Sequence, residues 1–253
     1  MQRLDRSVSQ YGNMTRSEAT KLIRSGRVKV DGVPCRDPAA KISPEAAVEA
    51  AGRLLCCREH LYVMLNKPAG ILCVSNDPKE RTVTDLLPTE WRRPGTFPAG
   101  RLDKDTVGLV LLTDDGDYGH RLTAPRSHVF KTYRAAVTGE IPPNAAELFA
   151  AGMTLPDGTL CLPADLRTLT RQAFGDLPEE FTDSTGFLEI RIREGKYHQV
   201  KRMCAALGCP VTFLRRTAIG GLCLKGLKEG ECRLLEEAET RLPWESVENI
   251  CAF

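Results

Sequence analysis

Long apolar runs, a charge excess and nucleotide-binding signatures are all missing from this chain of 253 residues. No hydrophobic segment approaches the ~20 residues that cross a bilayer. Met1 to Ser9 is polar and charged, so no signal peptide is expected. The formal net charge is only +2, and overall charge therefore names no partner. The sequence holds no Walker A loop, no G-x-G-x-x-G, no G-x-S-x-G elbow and no H-E-x-x-H helix. Nucleotide hydrolysis, dinucleotide redox chemistry, serine hydrolysis and zincin proteolysis thus lack their usual machinery. Histidine is scarce: His60, His120, His128 and His198 are the four present, and nothing marks a Ser/His/Asp triad. Ten cysteines include no C-x-x-C pair and no zinc spacing. They read as free thiols of a cytosolic protein, with Cys204 and Cys209 buried and inert. Thr113-Asp114-Asp115-Gly116-Asp117 misses the EF-hand spacing and its closing glutamate, so no metal is expected there.

What is present is charge gathered in two places. Residues 1–30 hold seven basic side chains against Asp5 and Glu18, a local +5. Residues 191–233 hold ten basic side chains against three acids, a local +7. Such clusters mark either a polyanion-binding surface or two solvated faces.

The first cluster falls on a small module. Leu4, Val8 and Tyr11 have helical spacing, with Gly12 as a stop. Thr15-Arg16-Ser17-Glu18 is a capping box that opens a second helix with Ala19, Leu22 and Ile23 on one face, closed by Gly26. Val28 and Val30 alternate with basic residues, and Asp31-Gly32 before Val33 signals a hairpin. A helix–helix–hairpin unit with a cationic exterior is predicted, followed by a linker over Arg53 to Glu59.

Beyond it, Leu61 to Leu65, Ile71 to Val74, Val107 to Leu112, Phe130 to Thr138 and Phe187 to Arg193 read as strands. Lys67-Pro68-Ala69-Gly70 reads as a turn, and Pro88 to Pro98 as a loop. Tyr118 to Leu122 and Val200 to Leu207 read as helices. Many strands with short turns and few helices predict an α+β fold with a mixed, mainly antiparallel sheet flanked by helices.

Chemistry concentrates in three elements. Asp103 stands between Arg101 and the apolar run from Val107. A carboxylate there is a surface group, a structural ion-pair member or a working acid. Glu194 to Met203 follows an alternating strand and enters a helix, where Lys201 and Arg202 add cations to a helix N-terminus. In Lys131-Thr132-Tyr133 an aromatic plane lies beside a cation, a pairing that suits a nucleic-acid base. Taken singly, Asp103 is as often structural, Tyr133 more often a plain strand aromatic, and His198 more often a structural hydrogen bonder.

In combination these elements resemble the ribosomal small-subunit pseudouridine synthase A family. The matching residues are Tyr62 to Gly70, Gly100-Arg101-Leu102-Asp103 with Asp105-Thr106 and Gly108-Leu109, Thr113 to Gly116, Lys131-Thr132-Tyr133, and Glu194 to Met203. They span residues 60 to about 235. Residues 3–33 separately resemble the alpha-L RNA-binding module of the ribosomal protein S-four type, through Arg3-Leu4-Asp5, Ala19, Leu22-Ile23, Gly26, Val28 and Val30-Asp31-Gly32. Residues 45–55 depart from it, being alanine-rich where that family usually closes with a strand. The two resemblances divide the chain into an RNA-binding domain over 1–57 and a catalytic domain over 58–253.

The resemblance implies site-specific conversion of uridine to pseudouridine in ribosomal RNA, of the small subunit or, as the alternative, of the large one. It implies Asp103 as the essential carboxylate, Lys201 as the cation that offsets its desolvation, and Tyr133 as the residue stacked on the target base. The uridine would be flipped out of its helix. Such an isomerisation needs no metal and no diffusible cofactor. The expected RNA contacts are Arg3, Arg16, Arg24, Arg27 and Lys29 in the small module, with Arg101, Lys131, Lys196, His198, Gln199 and Arg202 around the cleft. The expected partner is ribosomal RNA or an assembling small subunit, bound by a monomer without a membrane. The competing class is an RNA-binding assembly factor without catalysis. The blandest reading pairs Asp103 with Arg101 on solvated faces.

Overall fold

In the computed structural model, residues 1–12, 14–43, 46–55, 59–224 and 226–245 are described. Met1–Leu61 with Leu87–Thr96 makes one compact unit, and Tyr62–Leu86 with the chain from Phe97 onward makes another.

The first unit follows its sequence signals closely. Helices Leu4–Tyr11 and Arg16–Arg24 bury Leu4, Val8, Ala19 and Ile23 against Val28, Ile42 and Val48. The capping box forms: Thr15 Oγ1 accepts from the Glu18 amide at 3.3 Å, and the Thr15 amide donates to Glu18 Oε2 at 2.8 Å. Strands Val28–Val30 and Val33–Pro34 close around Asp31 and Gly32, at φ 50° and 81°. A second hairpin, Val48–Ala50 with Arg53–Leu55, completes a four-stranded sheet. The strand that seemed missing from the alanine-rich stretch is therefore formed, and Arg53 to Leu55 is strand rather than linker. Its turn, Ala51-Gly52, repeats the geometry of Asp31-Gly32 at φ 51° and 81°. Alanine carries none of the turn preference that marks Asp-Gly, so the sequence hides this hairpin. Residues 56–58, where the expected domain boundary falls, lie outside the described residues.

The second unit is built on a nine-stranded sheet. Its main path runs Asp165–Leu169, Gly186–Ile192, Lys131–Val137, Val211–Ile219, Val107–Thr113, Tyr62–Lys67, Cys232–Leu234. All neighbours on this path pair antiparallel except Val211–Ile219 and Val107–Thr113, which run parallel through Arg215↔Val107 and Arg216↔Gly108. The mixed, mainly antiparallel sheet of an α+β fold is thus present. Val107–Thr113 is buried along its whole length, as its unbroken apolar run requires. Gly108 makes the parallel crossing possible: at φ 107° it has no side chain, and a Cβ there would lie 2.2 Å from the Arg216 carbonyl oxygen.

Three expectations need correction. Ile71 to Val74 is not a strand; only an isolated bridge, Leu72 to Thr82, forms there. Pro88 to Pro98 is not only loop, since it contains the short helix Thr89–Trp91 and the strand Phe97–Pro98. Free thiols hold for Cys35, Cys73, Cys161, Cys204, Cys209 and Cys232, whereas Cys223 is disulfide-bonded. Spacing along the chain says nothing of which thiols meet in space. Among the described residues, no helix is long and apolar enough to cross a membrane.

Candidate active site

Asp103 sits in the turn that leads into Val107–Thr113, and the Thr106 amide donates to its carbonyl at 3.1 Å. A buried lysine holds this turn. Lys67 ends the neighbouring strand Tyr62–Lys67 and is 0 % exposed. Its ammonium donates to the carbonyls of Pro68 at 2.9 Å, Lys104 at 3.0 Å and Thr106 at 2.9 Å. The Gly70 amide adds a bond to Lys104 at 2.8 Å. Burial lowers the Lys67 pKa, with nearby Cys73, Asp105 and Asp103 opposing that shift. Three carbonyls replace the water a buried cation loses, and the Asp103 turn becomes a fixed ledge.

The helix Gln199–Ala206 faces this ledge with two side chains. Lys201 Nζ lies 3.3 Å from Asp103 Oδ2, and His198 Nε2 lies 3.3 Å from Asp103 Oδ1. The Asp103 side chain is 27 % exposed. These are the basic side chains that meet its carboxylate among the described residues, so the pairing with Arg101 is not what forms. Lys201 is also shared: it binds Asp105 more tightly, at 2.6 and 2.8 Å. Burial opposes ionisation of Asp105, but the Lys201 hydrogen bond and charge hold its pKa below the usual carboxylate range. One ammonium thus bridges two carboxylates, and the sequence pointed to only one of them.

His198 is the N-cap of that helix and lies in the left-handed region at φ 47°, ψ 35°. Such a backbone costs on the order of 1–3 kcal/mol for a residue with a side chain, although histidine is among the types found there most readily. The cost is held by the contact to Asp103 and by the turn around it. Leu162 N and Gln199 Nε2 both donate to Glu194 Oε1 at 2.8 Å. Lys196 pairs with Glu194 at 3.4 Å and bonds the Leu160 carbonyl. Arg202 pairs with Asp157 and reaches Thr159 Oγ1 at 3.3 Å.

Behind the ledge, Tyr133, Arg216 and Gly108 are register partners on three adjacent strands. Tyr133 is buried, with Arg216 Nη1 at 3.5 Å from its hydroxyl. Arg216 is 3 % exposed; its Nε donates to the Leu109 carbonyl at 2.7 Å, and its Nη2 has no hydrogen-bond partner among the described residues. Burial and the Arg216 charge push the Lys131 pKa down to about 8. Two cations thus stand at the floor of the sheet beside Tyr133, an environment suited to an anionic or carbonyl-rich ligand.

Lys131 yields a prediction about stability. Its pKa in the folded chain is lower than the usual lysine value of 10.5, so the unfolded chain binds more protons between about pH 8 and 10.5. Stability from this group therefore rises with pH across that window. Lys131→Met is expected to melt higher than the parent chain at pH 7, with the gap closing as the pH rises through the window. Melting curves at pH 7 and pH 10 check this; a gap that widens with pH contradicts it.

The other expected contacts divide by what already occupies them. Arg3 and Arg16 both bind the buried Asp5, at 2.9 and 3.4 Å, and together hold its pKa well below the usual carboxylate range, Arg3 most strongly. Lys29 pairs with Glu49 at 3.2 Å. Arg24, Arg27 and Arg101 are exposed. Gln199, expected at the RNA face, is buried at 4 % and spends its amide on Glu194 and the Lys196 amide, so it shapes the turn from inside. Lys67, Asp105 and Arg216 were not singled out as site residues. Lys67 is an apolar strand's only cation, and Arg216 a charged residue within a strand; either anomaly was a usable signal. Among the described residues no three His, Cys, Asp or Glu side chains gather as a metal site requires.

The family model described as RNA pseudouridylate synthase matches residues 61–206, and the S4 domain matches residues 2–48. The ribosomal small subunit pseudouridine synthase A of Escherichia coli strain K12 is 41% identical over 243 residues, covering 94% of this chain and 97% of that protein. An uncharacterized RNA pseudouridine synthase of Bacillus subtilis strain 168, YtzG, is 36% identical over 242 residues, covering 95% and 97%. A crystal structure of a pseudouridylate synthase aligns at a TM-score of 0.63 and 35% identity, covering 96% of this chain and 100% of that one.

Proposed function

This chain belongs to the RNA pseudouridylate synthase family and carries an S4 domain ahead of the synthase domain, and from that membership we propose that it converts uridine to pseudouridine in small-subunit ribosomal RNA with Asp103 as its catalytic carboxylate. The reaction breaks the bond from uracil N1 to the ribose, turns the base, and joins C5 to the same sugar carbon. The C5 proton leaves and N1 ends protonated, so atoms and charge balance within the substrate.

The observation that carries the reading is the Asp103 carboxylate, partly exposed, fixed on the Lys67 ledge and flanked at 3.3 Å by Lys201 and His198. A carboxylate working on a sugar or base must stay ionised while water is excluded. Lys201 offsets the loss of hydration and Asp105 keeps that ammonium in place. Tyr133 and Arg216 form the floor against which the flipped base rests. The small-subunit target follows the Escherichia coli relative. We assign RNA binding to residues 1–57 and catalysis to 58–253, acting as a monomer in the cytoplasm. Incubating the protein with transcribed small- and large-subunit RNA, followed by nucleoside chromatography, tests the target. Pseudouridine in the small-subunit RNA alone is expected; pseudouridine only in the large-subunit RNA overturns the target.

The first unit grips RNA through phosphates, which position without specifying sequence. Its usable cations are those not already paired. Arg24→Ala with Arg27→Ala is expected to weaken RNA binding several-fold and to lower the salt slope by about 1 per residue removed. Lys29→Ala is expected to do less, because Glu49 already neutralises it. Titrations at several salt concentrations decide; equal losses from both changes contradict the assignment.

A further inference from the structure

Tyr197 stands apart from every other aromatic residue described. Tyr197 is 75% exposed, and it is the only exposed aromatic residue among the described ones. One face of its ring is covered: it stacks on His198 with centroids 3.9 Å apart and planes at 17°. That imidazole reaches Asp103 through Nε2 at 3.3 Å. An exposed ring backed on one face by an imidazole that reaches Asp103 leaves its other face open to a planar group beside that carboxylate.

The support beneath the ring is rigid. His198 holds a left-handed backbone at φ 47°. Glu194 ties Leu162 N, Gln199 and Lys196 around the turn, and Arg202 bonds the Tyr197 carbonyl at 3.3 Å. The cations of the same turn are engaged with Glu194 and Asp157, so its outward chemistry is the tyrosine ring rather than its charge. A strained residue held by its surroundings at a functional centre is the pattern of a pre-organised contact.

We propose that Tyr197 is a stacking platform for an RNA base adjacent to the target uridine, backed by His198 and thereby registered on Asp103. This rests on the reading of the chain as an RNA-modifying enzyme. When a uridine leaves the stack, its neighbour loses a stacking partner. An exposed aromatic face next to the reacting carboxylate replaces that partner without reading sequence, since every base has a π-face. Tyr197 is then a binding residue that favours the opened RNA.

The test uses the full chain and transcribed small-subunit RNA, with Tyr197→Ala, Tyr197→Phe and Tyr197→Trp. Tyr197→Ala is expected to weaken RNA binding by about tenfold, the range of one stacked base, with its salt slope unchanged. Tyr197→Phe and Tyr197→Trp are expected to bind as the parent does. In Tyr197→Trp, RNA is expected to quench indole emission beyond any change seen with the parent, which carries Trp91 and Trp244. A merely structural role leaves that emission unmoved. Parent-like binding by Tyr197→Ala, or no added quenching, overturns the proposal. If the parent binds RNA but forms no pseudouridine, the enzymatic reading fails, while the binding and quenching arms still decide the platform.

Discussion

Asp103→Asn is expected to lower pseudouridine formation on the order of 10⁴-fold or more, as loss of a central catalytic group does in other enzymes, while RNA affinity holds or rises slightly. The substitution keeps size and hydrogen-bonding capacity but removes the charge that meets Lys201 and His198 at 3.3 Å. Lys201 keeps Asp105 as a partner, so no cation is stranded and the fold is preserved. Removing a negative charge also removes a repulsion toward RNA phosphates. Turnover with the parent's rate sinks the catalytic assignment. Loss of affinity and turnover together, with a lowered melting temperature, would mean that the ion pair is structural.

Lys67→Met is expected to destabilise the protein by about 1–3 kcal/mol and to depress turnover even where the protein remains folded. Methionine matches the lysine stem in size, so packing is kept and the donor alone is lost. The buried Thr106 carbonyl then loses its donor at a cost of ~1–3 kcal/mol, and the part-buried Pro68 carbonyl loses the same donor, while the Lys104 carbonyl keeps the Gly70 amide. Two of those carbonyls flank Asp105 and follow Asp103, so the carboxylate ledge loosens with them. Melting curves and turnover well below the melting temperature check both parts. A parent-like melting temperature with parent-like turnover would show that the ledge stands without its ammonium.

The sequence made the outline of this fold legible wherever a local signal carried the structure. The Thr15 to Glu18 capping box, the Asp31-Gly32 turn and the apolar run from Val107 each specify their geometry within a few residues. Signals failed where tertiary contacts decided. Val211–Ile219 has nine residues and crosses the sheet's centre, yet Arg215 and Arg216 interrupt its apolar alternation. Arg216 is buried because Leu109 and Tyr133 receive it, and neither is near it in sequence. Asp165–Leu169 is an edge strand with little apolar content, and Ala51-Gly52 turns a chain without a turn signature.

The candidate site was legible in part for a similar reason. Asp103 and Lys201 were named, and they meet. What stayed hidden were the groups that hold them: Lys67 is 36 residues before Asp103 and bonds only backbone, which no side-chain motif records. Gln199 reads as an outward contact because it lies among cations, but a residue at the start of a helix faces inward or outward according to what packs there, and Glu194 draws it in. Tyr197 lay inside the Glu194 to Met203 cluster without a role, because only its exposure and its stacking on His198 distinguish it.

The most direct measurement is release of tritium from small-subunit RNA labelled at uracil C5, since forming the new C5–C1′ bond must expel that atom. Release by the parent chain is expected, with none above background by Asp103→Asn and none from large-subunit RNA. Undiminished release by Asp103→Asn would contradict that expectation, as would release from the large-subunit RNA alone.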